Sequence, residues 1–237
     1  MSKKLSSFST RASDLIFNQI IGAKKIMLTG GRSSRSICKS LANKIHLHKS
    51  LDIFLTDERI VPKNSPDSNY NMVKNELKIN ESDGNIRLFD MIDRSSMANE
   101  SESFKLSNKY FTTIPEEIDF MLLSIGDDGH IGSIFSNGCQ KKINENFLFE
   151  RKAPKLPHLR FSISLEFIKR TKKIFLLIEG VEKGRCVKSF LENYHTNNDS
   201  FLQVLLTHTW LFDDEAMQEI NKEKQSHLLK DTTCIKF

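Results

Sequence analysis

The sequence predicts an α/β fold: a single doubly wound, mostly parallel sheet with helices on both faces. Three observations carry this. Short, almost continuously apolar runs such as Ile118-Asp-Phe-Met-Leu-Leu-Ser-Ile125 have the composition of strands covered on both sides. They alternate with stretches of helical periodicity. Several of them end in glycine, hydroxyl or charged residues, where open α/β sheets gather their ligands. The 237 residues are 38% hydrophobic, enough for one sizeable core, and no linker-like stretch divides them, so one domain over 1–237 is expected.

Taken in order, Phe8, Ala12, Leu15, Ile16 and Ile20 recur at helical spacing, and Gly22 follows as a cap. Lys25 to Thr29 reads as a strand running into Gly30-Gly31. Ser33 to Ile45 then carries Ile37, Cys38, Leu41, Ala42 and Ile45 on one helical face. Leu51 to Leu55 is the next strand and ends at Thr56-Asp57-Glu58-Arg59. A loop through Pro62 and Pro66 leads to a helix starting near Asp67 or Ser68. Ile86 to Phe89 is a further, weaker strand, and Met97 to Phe111 a helix. Ile118 to Ile125 is the central strand. Lys173 to Ile178 and Val204 to Trp210 are the late strands, with a helix over Val181 to Tyr194 between them.

Charge and cysteine content narrow the function. The 35 Lys and Arg against 30 Asp and Glu give a net charge of +5, scattered along the chain, which suits a small anionic ligand. No basic run interleaved with aromatics supports a nucleic-acid partner. Cys38, Cys139, Cys186 and Cys234 form no CxxC pair, so no metal site is expected and reduced thiols of a cytoplasmic protein fit best. No apolar stretch approaches the roughly 20 residues of a membrane span, and no membrane partner is expected.

Three strand ends carry polar groups: Gly30-Gly31-Arg32-Ser33-Ser34, Asp57-Glu58-Arg59 and Asp128-Gly129-His130. Right-handed crossovers put the carboxyl ends of parallel strands on one edge, so all three line one cleft. The glycine pair at a helix start suits a phosphate, although alone it reads better as an ordinary turn. Arg32 and Arg35 beside it favour the anion. A carboxylate of Asp57 or Glu58 paired with Arg59 would hold that guanidinium as an anion receptor. An imidazole, with an ordinary pKa of about 6.5, accepts and returns a proton near neutrality, which makes His130 a candidate base oriented by Asp128. Alone, the tripeptide reads equally well as the cap of a helix starting there.

Together these residues resemble the 6-phosphogluconolactonases, within the wider group that includes the glucosamine-6-phosphate deaminases. Thr29-Gly-Gly31 is similar to the family's SGGSTP phosphate loop. Thr56-Asp-Glu-Arg-Ile-Val-Pro62 with Asp67-Ser-Asn-Tyr70 resembles its DERxVP and DSNY segments, and Gly126 to Phe135 its GxDGHxxSLF turn. Arg160 falls at the arginine of RxT. Gly180-Val-Glu-Lys183 and Trp210-Leu-Phe-Asp213 resemble GxxK and WxxD. The resemblance covers roughly residues 8 to 216 and leaves 217–237 as a tail, expected to be a surface helix. It implies a Rossmann-like domain that hydrolyses 6-phosphoglucono-δ-lactone without a cofactor or metal; separately, the protein is expected to be a monomer. His130 would be the general base with Asp128 beside it. Gly30, Gly31, Arg32, Ser33, Arg59, Arg160 and Lys183 would face the phosphate end, and Asp57 the sugar ring.

The chain departs from that pattern at Arg32-Ser33-Ser34, where the family has Ser-Thr-Pro. Smaller departures are Gly132, Ser136-Asn137-Gly138 after the SLF element, and Ser162 after the arginine. The deaminases resemble DGHIAFNEP, whose glutamate falls at Phe135 here, and a phenylalanine cannot carry a proton. A non-catalytic phosphosugar sensor is the competing reading, motivated by the altered loop. No helix-turn-helix accompanies it.

Overall fold

Apolar strands in the middle of the sequence alternate in the face they present, and this places the core. In the computed structural model, which describes residues 7–80, 82, 84–93, 105–106, 108–114, 117–136, 138, 140–193, 201–220, 229 and 232–237, Ile26 and Leu28 point to one side of the central sheet and Met27 to the other. Phe120 and Leu122 likewise oppose Met121 and Leu123. Both sides are buried, as expected where a two-residue alternation puts apolar side chains on each face.

The sheet has seven strands: β1 (Lys25–Leu28), β2 (Leu51–Leu55), β4 (Ile86–Leu88), β7 (Phe120–Ser124), β11 (Ile174–Ile178), β12 (Thr209–Phe212) and β13 (Thr233–Lys236). Their order is β13-β12-β11-β7-β1-β2-β4, and every pairing is parallel. Helices α1 (Ser7–Ile20), α2 (Gly31–Ile45) and α3 (Asn69–Glu76) cover one face through Phe8, Ala12, Ile16, Ile37, Leu41, Ile45, Met72 and Val73. Helices α5 (Leu165–Arg170), α6 (Val181–Glu192) and α7 (Asp214–Gln218) cover the other through Phe167, Val187, Phe190, Ala216 and Met217. Gly184 lets α6 close on α7, since a Cβ there would lie 2.5 Å from the Ala216 carbonyl oxygen. Among the described residues no helix is long and apolar enough to cross a membrane.

A second sheet departs from the single-sheet expectation. Strands β3 (Asp57–Arg59), β8 (Gln140–Lys142), β9 (Phe147–Glu150) and β10 (Arg160–Ile163) form an antiparallel array in the order β3-β10-β9-β8. Its strands are only three or four residues long and mix charge with aromatics, so periodicity does not reveal them. Asp57-Glu58-Arg59, expected as the end of the preceding strand, therefore forms a strand of its own. Beyond it, β5 (Ile92–Asp93) pairs with β6 (Lys105–Leu106).

Other boundaries shift too. Of the helix expected over Met97 to Phe111, residues 97–104 lie outside the described residues, and α4 occupies Asn108–Thr113. The late strand begins at Thr209, preceded by a 3-10 turn over Phe201–Leu205, because the Trp210 indole N–H donates to the Leu205 carbonyl (2.8 Å) and draws that segment back. No helix starts after His130. The chain turns through Gly126–Phe135 instead, with Ile131 bridging to Ile125 and Ile134. The expected surface helix of the tail gives way, where described, to the edge strand β13.

Candidate active site

The strand order reverses between β1 and β7: β2 and β4 extend one way, and β11, β12 and β13 the other. The loops after β1 and β7 therefore diverge to opposite faces and open a crevice, the usual ligand position in such sheets. A cavity of about 610 Å³ lies there. It is lined by Gly30, Gly31, Arg32, Ser33, Asp57, Arg59, His130 and Lys183, bringing together eight of the ten residues singled out above.

The loop after β1 is held tightly. A Cβ on Gly30 would lie 1.9 Å from Asn69 Oδ1, so only glycine lets β1 approach the start of α3 this closely. Gly30 is also the N-cap of α2, with no side-chain cap and no acidic residue in the first turn. The positive end of a 15-residue helix thus faces the cavity without an anion of its own. Arg32 is exposed there. Arg35 is not part of the lining: it pairs with Glu76 at 2.9 Å, which gives it the structural purpose that the sequence did not suggest.

Lys183 enters from α6. Its ammonium donates to Ser124 Oγ (2.7 Å) and Ser33 Oγ (3.0 Å), joining the end of β7 to the first turn of α2. Burial lowers its pKa below the ordinary lysine value, against the opposing pull of Glu179 and Asp127. The loop that presents it is tied down by Asp213, whose carboxylate accepts from Gly180 N (3.1 and 3.0 Å) and from Ala216 N (2.8 Å). This accounts for the aspartate of the terminal motif as a structural clasp.

The three residues of β3 divide their labour. Asp57, buried, accepts from Ser133 Oγ (2.7 Å) and Thr56 Oγ1 (3.2 Å). Glu58, fully buried, accepts from Arg59 N (2.7 Å), Ser68 Oγ (2.9 Å), Asn69 N (2.7 Å) and Tyr70 N (2.8 Å), which anchors α3. The expected carboxylate partner of the Arg59 guanidinium is not what holds it. Its Nη1 donates to the Asp67 carbonyl (2.9 Å), while its buried Nε has no hydrogen-bond partner among the described residues. The carboxylate best placed by sequence, Glu58, is already occupied by backbone N–H groups at a helix start, which compete well for an anion.

After β7, Gly126 N donates to the His130 carbonyl (2.8 Å) and Gly129 N to that of Gly126 (3.1 Å). This tight turn sets the His130 imidazole Nδ1 against Asp128 Oδ1. An ionised carboxylate can only accept, so Nδ1 carries the proton and Nε2 the free lone pair. Burial raises the Asp128 pKa, but the hydrogen bond and charge of His130 outweigh it and the net shift is downward. Phe135 packs against the imidazole, ring centroids 4.5 Å apart at 37°. Asp128 itself lies behind the histidine rather than in the cavity lining.

Arg160 is the second residue outside the lining. It is 4% exposed, and its guanidinium donates through Nη2 to the Lys155 carbonyl (2.8 Å) and through Nε to that of Pro157 (3.0 Å). It stands 5.6 Å from the centre of the Phe135 ring. Its cross-strand partner on β3 is Arg59, so the two side chains leave the same face of the second sheet, Arg59 into the cavity lining and Arg160 folded back onto the two carbonyls. Reading the sequence also missed Ser124 and Lys155, both in the lining. The signal for Ser124 was a hydroxyl at the carboxyl end of an apolar strand. For Lys155 it was a cation between Pro154 and Pro157, a stiff segment just before Arg160.

The family described as glucosamine-6-phosphate isomerases/6-phosphogluconolactonase matches residues 4–208. The chain belongs to this family. Among the family's proteins, 6-phosphogluconolactonase 4 of Saccharomyces cerevisiae is 25% identical over 235 residues, covering 90% of this chain and 88% of the yeast protein. The 6-phosphogluconolactonase of Borreliella burgdorferi is 28% identical over 186 residues, 77% of this chain and 79% of its own. The solved structure of 6-phosphogluconolactonase from Trypanosoma cruzi has a TM-score of 0.71 at 21% identity, covering 92% of this chain and 94% of that one. This likeness shows the family's fold. The glycine loop, the DER strand and the DGH turn, spread over about a hundred residues of sequence, meet in one crevice of that fold.

Proposed function

We propose that the protein hydrolyses 6-phosphoglucono-δ-lactone to 6-phosphogluconate, with His130 as general base. The Asp128–His130 pair at the edge of a cavity that also holds Arg32, Arg59 and Lys183 carries this reading: a proton acceptor and a cluster of cations suit a neutral ester joined to a phosphate. His130 Nε2 takes a proton from water as its oxygen attacks C1. Asp128 keeps Nδ1 protonated, so the imidazole stays the right way round and its developing charge is balanced. When the C1–O5 bond breaks, the same Nε2 returns the proton to O5. The α2 N-terminus, Arg32, Arg59 and Lys183 hold the phosphate, and Asp57 faces the sugar.

The relatives' names support hydrolysis of this lactone. Phe135 supports it against deamination. The position where the deaminase pattern has a glutamate is an aromatic packed on the histidine, and a phenyl ring carries no proton. Freshly generated lactone should be opened faster than its spontaneous rate, followed by acid release, and His130→Ala should remove nearly all of the gain. An unimpaired His130→Ala protein would refute the mechanism.

A further inference from the structure

Arg160 poses a question that the catalytic scheme leaves open. A guanidinium that is 4% exposed is costly to desolvate unless its N–H groups are used. Here they serve the carbonyls of Lys155 and Pro157 (2.8 and 3.0 Å), which pins the segment before β10 to the wall of the cavity. The side chain that this segment sends into the cavity is Lys155. Its Nζ lies 3.3 Å from Asp127 Oδ2, and Asp127 sits in the same tight turn as His130. Phe135, between the Arg160 guanidinium (5.6 Å) and the His130 ring (4.5 Å), packs the two units against each other.

The end of the ligand that Lys155 meets follows from this tether. For His130 to take a proton from water attacking C1, the turn that bears it must lie at C1. A cation tied to that turn is therefore placed at the C1 end, whereas the phosphate is five carbons away. The charge history of C1 asks for a cation. As the water oxygen bonds to C1, the carbonyl electron pair moves onto its oxygen; it returns as the C1–O5 bond breaks, and the resulting acid loses its proton to leave a carboxylate. An ammonium has three donors, so one on Asp127 leaves two for the ligand.

Resting on the lactonase reading above, we infer that Lys155 contacts the C1 oxygen of the lactone and the carboxylate of the product, and that Arg160 is a positioning residue acting through it. The test is calorimetric binding of 6-phosphogluconate and of glucitol 6-phosphate, which carries a hydroxymethyl group where the product has its carboxylate. Wild-type protein should prefer 6-phosphogluconate. Lys155→Met, at a side chain 67% exposed and so no threat to folding, should reduce that preference by about fivefold to tenfold without weakening glucitol 6-phosphate. Lys155→Arg should retain it. Arg160→Met should shift the preference the same way and add little to Lys155→Met.

Equal weakening of both ligands by Lys155→Met would make Lys155 a phosphate contact and overturn the inference, as would no change in either. A lactone assay on the same samples separates the two readings. Wild-type protein that shows the Lys155-dependent preference but does not speed lactone opening would sustain the contact and refute the hydrolase.

Discussion

A methyl group on Gly126 would lie 2.2 Å from both Cε1 and Nδ1 of the His130 imidazole, and 2.7 Å from Asp128 Oδ1. The glycine that ends the central strand therefore provides the space in which the histidine and its aspartate meet. Sequence reading treats Gly126 as the boundary of a strand. The structure makes it part of the base.

Gly126→Ala should displace the imidazole while leaving the sheet intact, because the turn is solvent-facing and the ring can swing outward. Misplacing a reacting group by about 1 Å can cost about a hundredfold in rate. We expect a fall in kcat of about that size with thermal unfolding close to wild type. A kcat within twofold of wild type would show that the ring's present position is not the working one.

Asp128→Asn tests the tautomer. An amide can donate to Nδ1, which would move the ring proton to Nε2 and turn the base into a donor. The general-base contribution is typically about 10²- to 10⁴-fold, and kcat should fall within that range while KM barely moves. A rise in KM at constant kcat would instead give Asp128 a role in binding.

Glu58→Gln probes the anchor under the cleft. The buried carboxylate accepts from three backbone N–H groups and a hydroxyl, and an amide can present only one accepting oxygen, so N–H would face N–H. A loss of about 2–4 kcal/mol is expected, seen as a melting temperature lower by roughly 5–10 °C for a chain of this size. An unchanged melting temperature would mean that the strand and α3 are held by other contacts.

Lys183 should make substrate affinity sensitive to alkaline pH. Burial lowers its pKa from the ordinary 10.5, so its charge is lost earlier than that of an exposed lysine. KM should climb as pH rises through that range, and Lys183→Arg should flatten the climb because a guanidinium stays charged. The stability effect has the opposite sign. Below its folded pKa the charged lysine costs stability, and the cost fades as pH rises from the folded value toward 10.5, where the unfolded chain binds the extra proton. Parallel alkaline KM profiles for wild type and variant would assign the titration elsewhere.

The central sheet was legible because its strands are nearly pure apolar runs, and because each run's two-residue alternation fits burial on both sides: Met27 against Ile26 and Leu28, Met121 against Phe120 and Leu122. The edge strand β13, Thr-Cys-Ile-Lys, is half-exposed and polar in part, so it carries no such signal. The second sheet stayed hidden for a related reason. Its strands gain their order from one another and from the underlying core, as where Ile163 N donates to the Thr56 carbonyl (2.8 Å), and no local pattern records a partner a hundred residues away.

The local sequence specified the chemistry available: glycine turns at strand ends, a histidine two residues after an aspartate, and cations within reach of a parallel-sheet edge. These follow from backbone sterics and side-chain type, which each short segment carries in itself. Only the tertiary structure decided which cations face the cavity. Arg35, Arg160 and Lys155 look alike as charges along the chain. Packing turns the first to Glu76, buries the second against two carbonyls, and delivers the third to the turn of His130, because a side chain's direction depends on neighbours that the fold supplies.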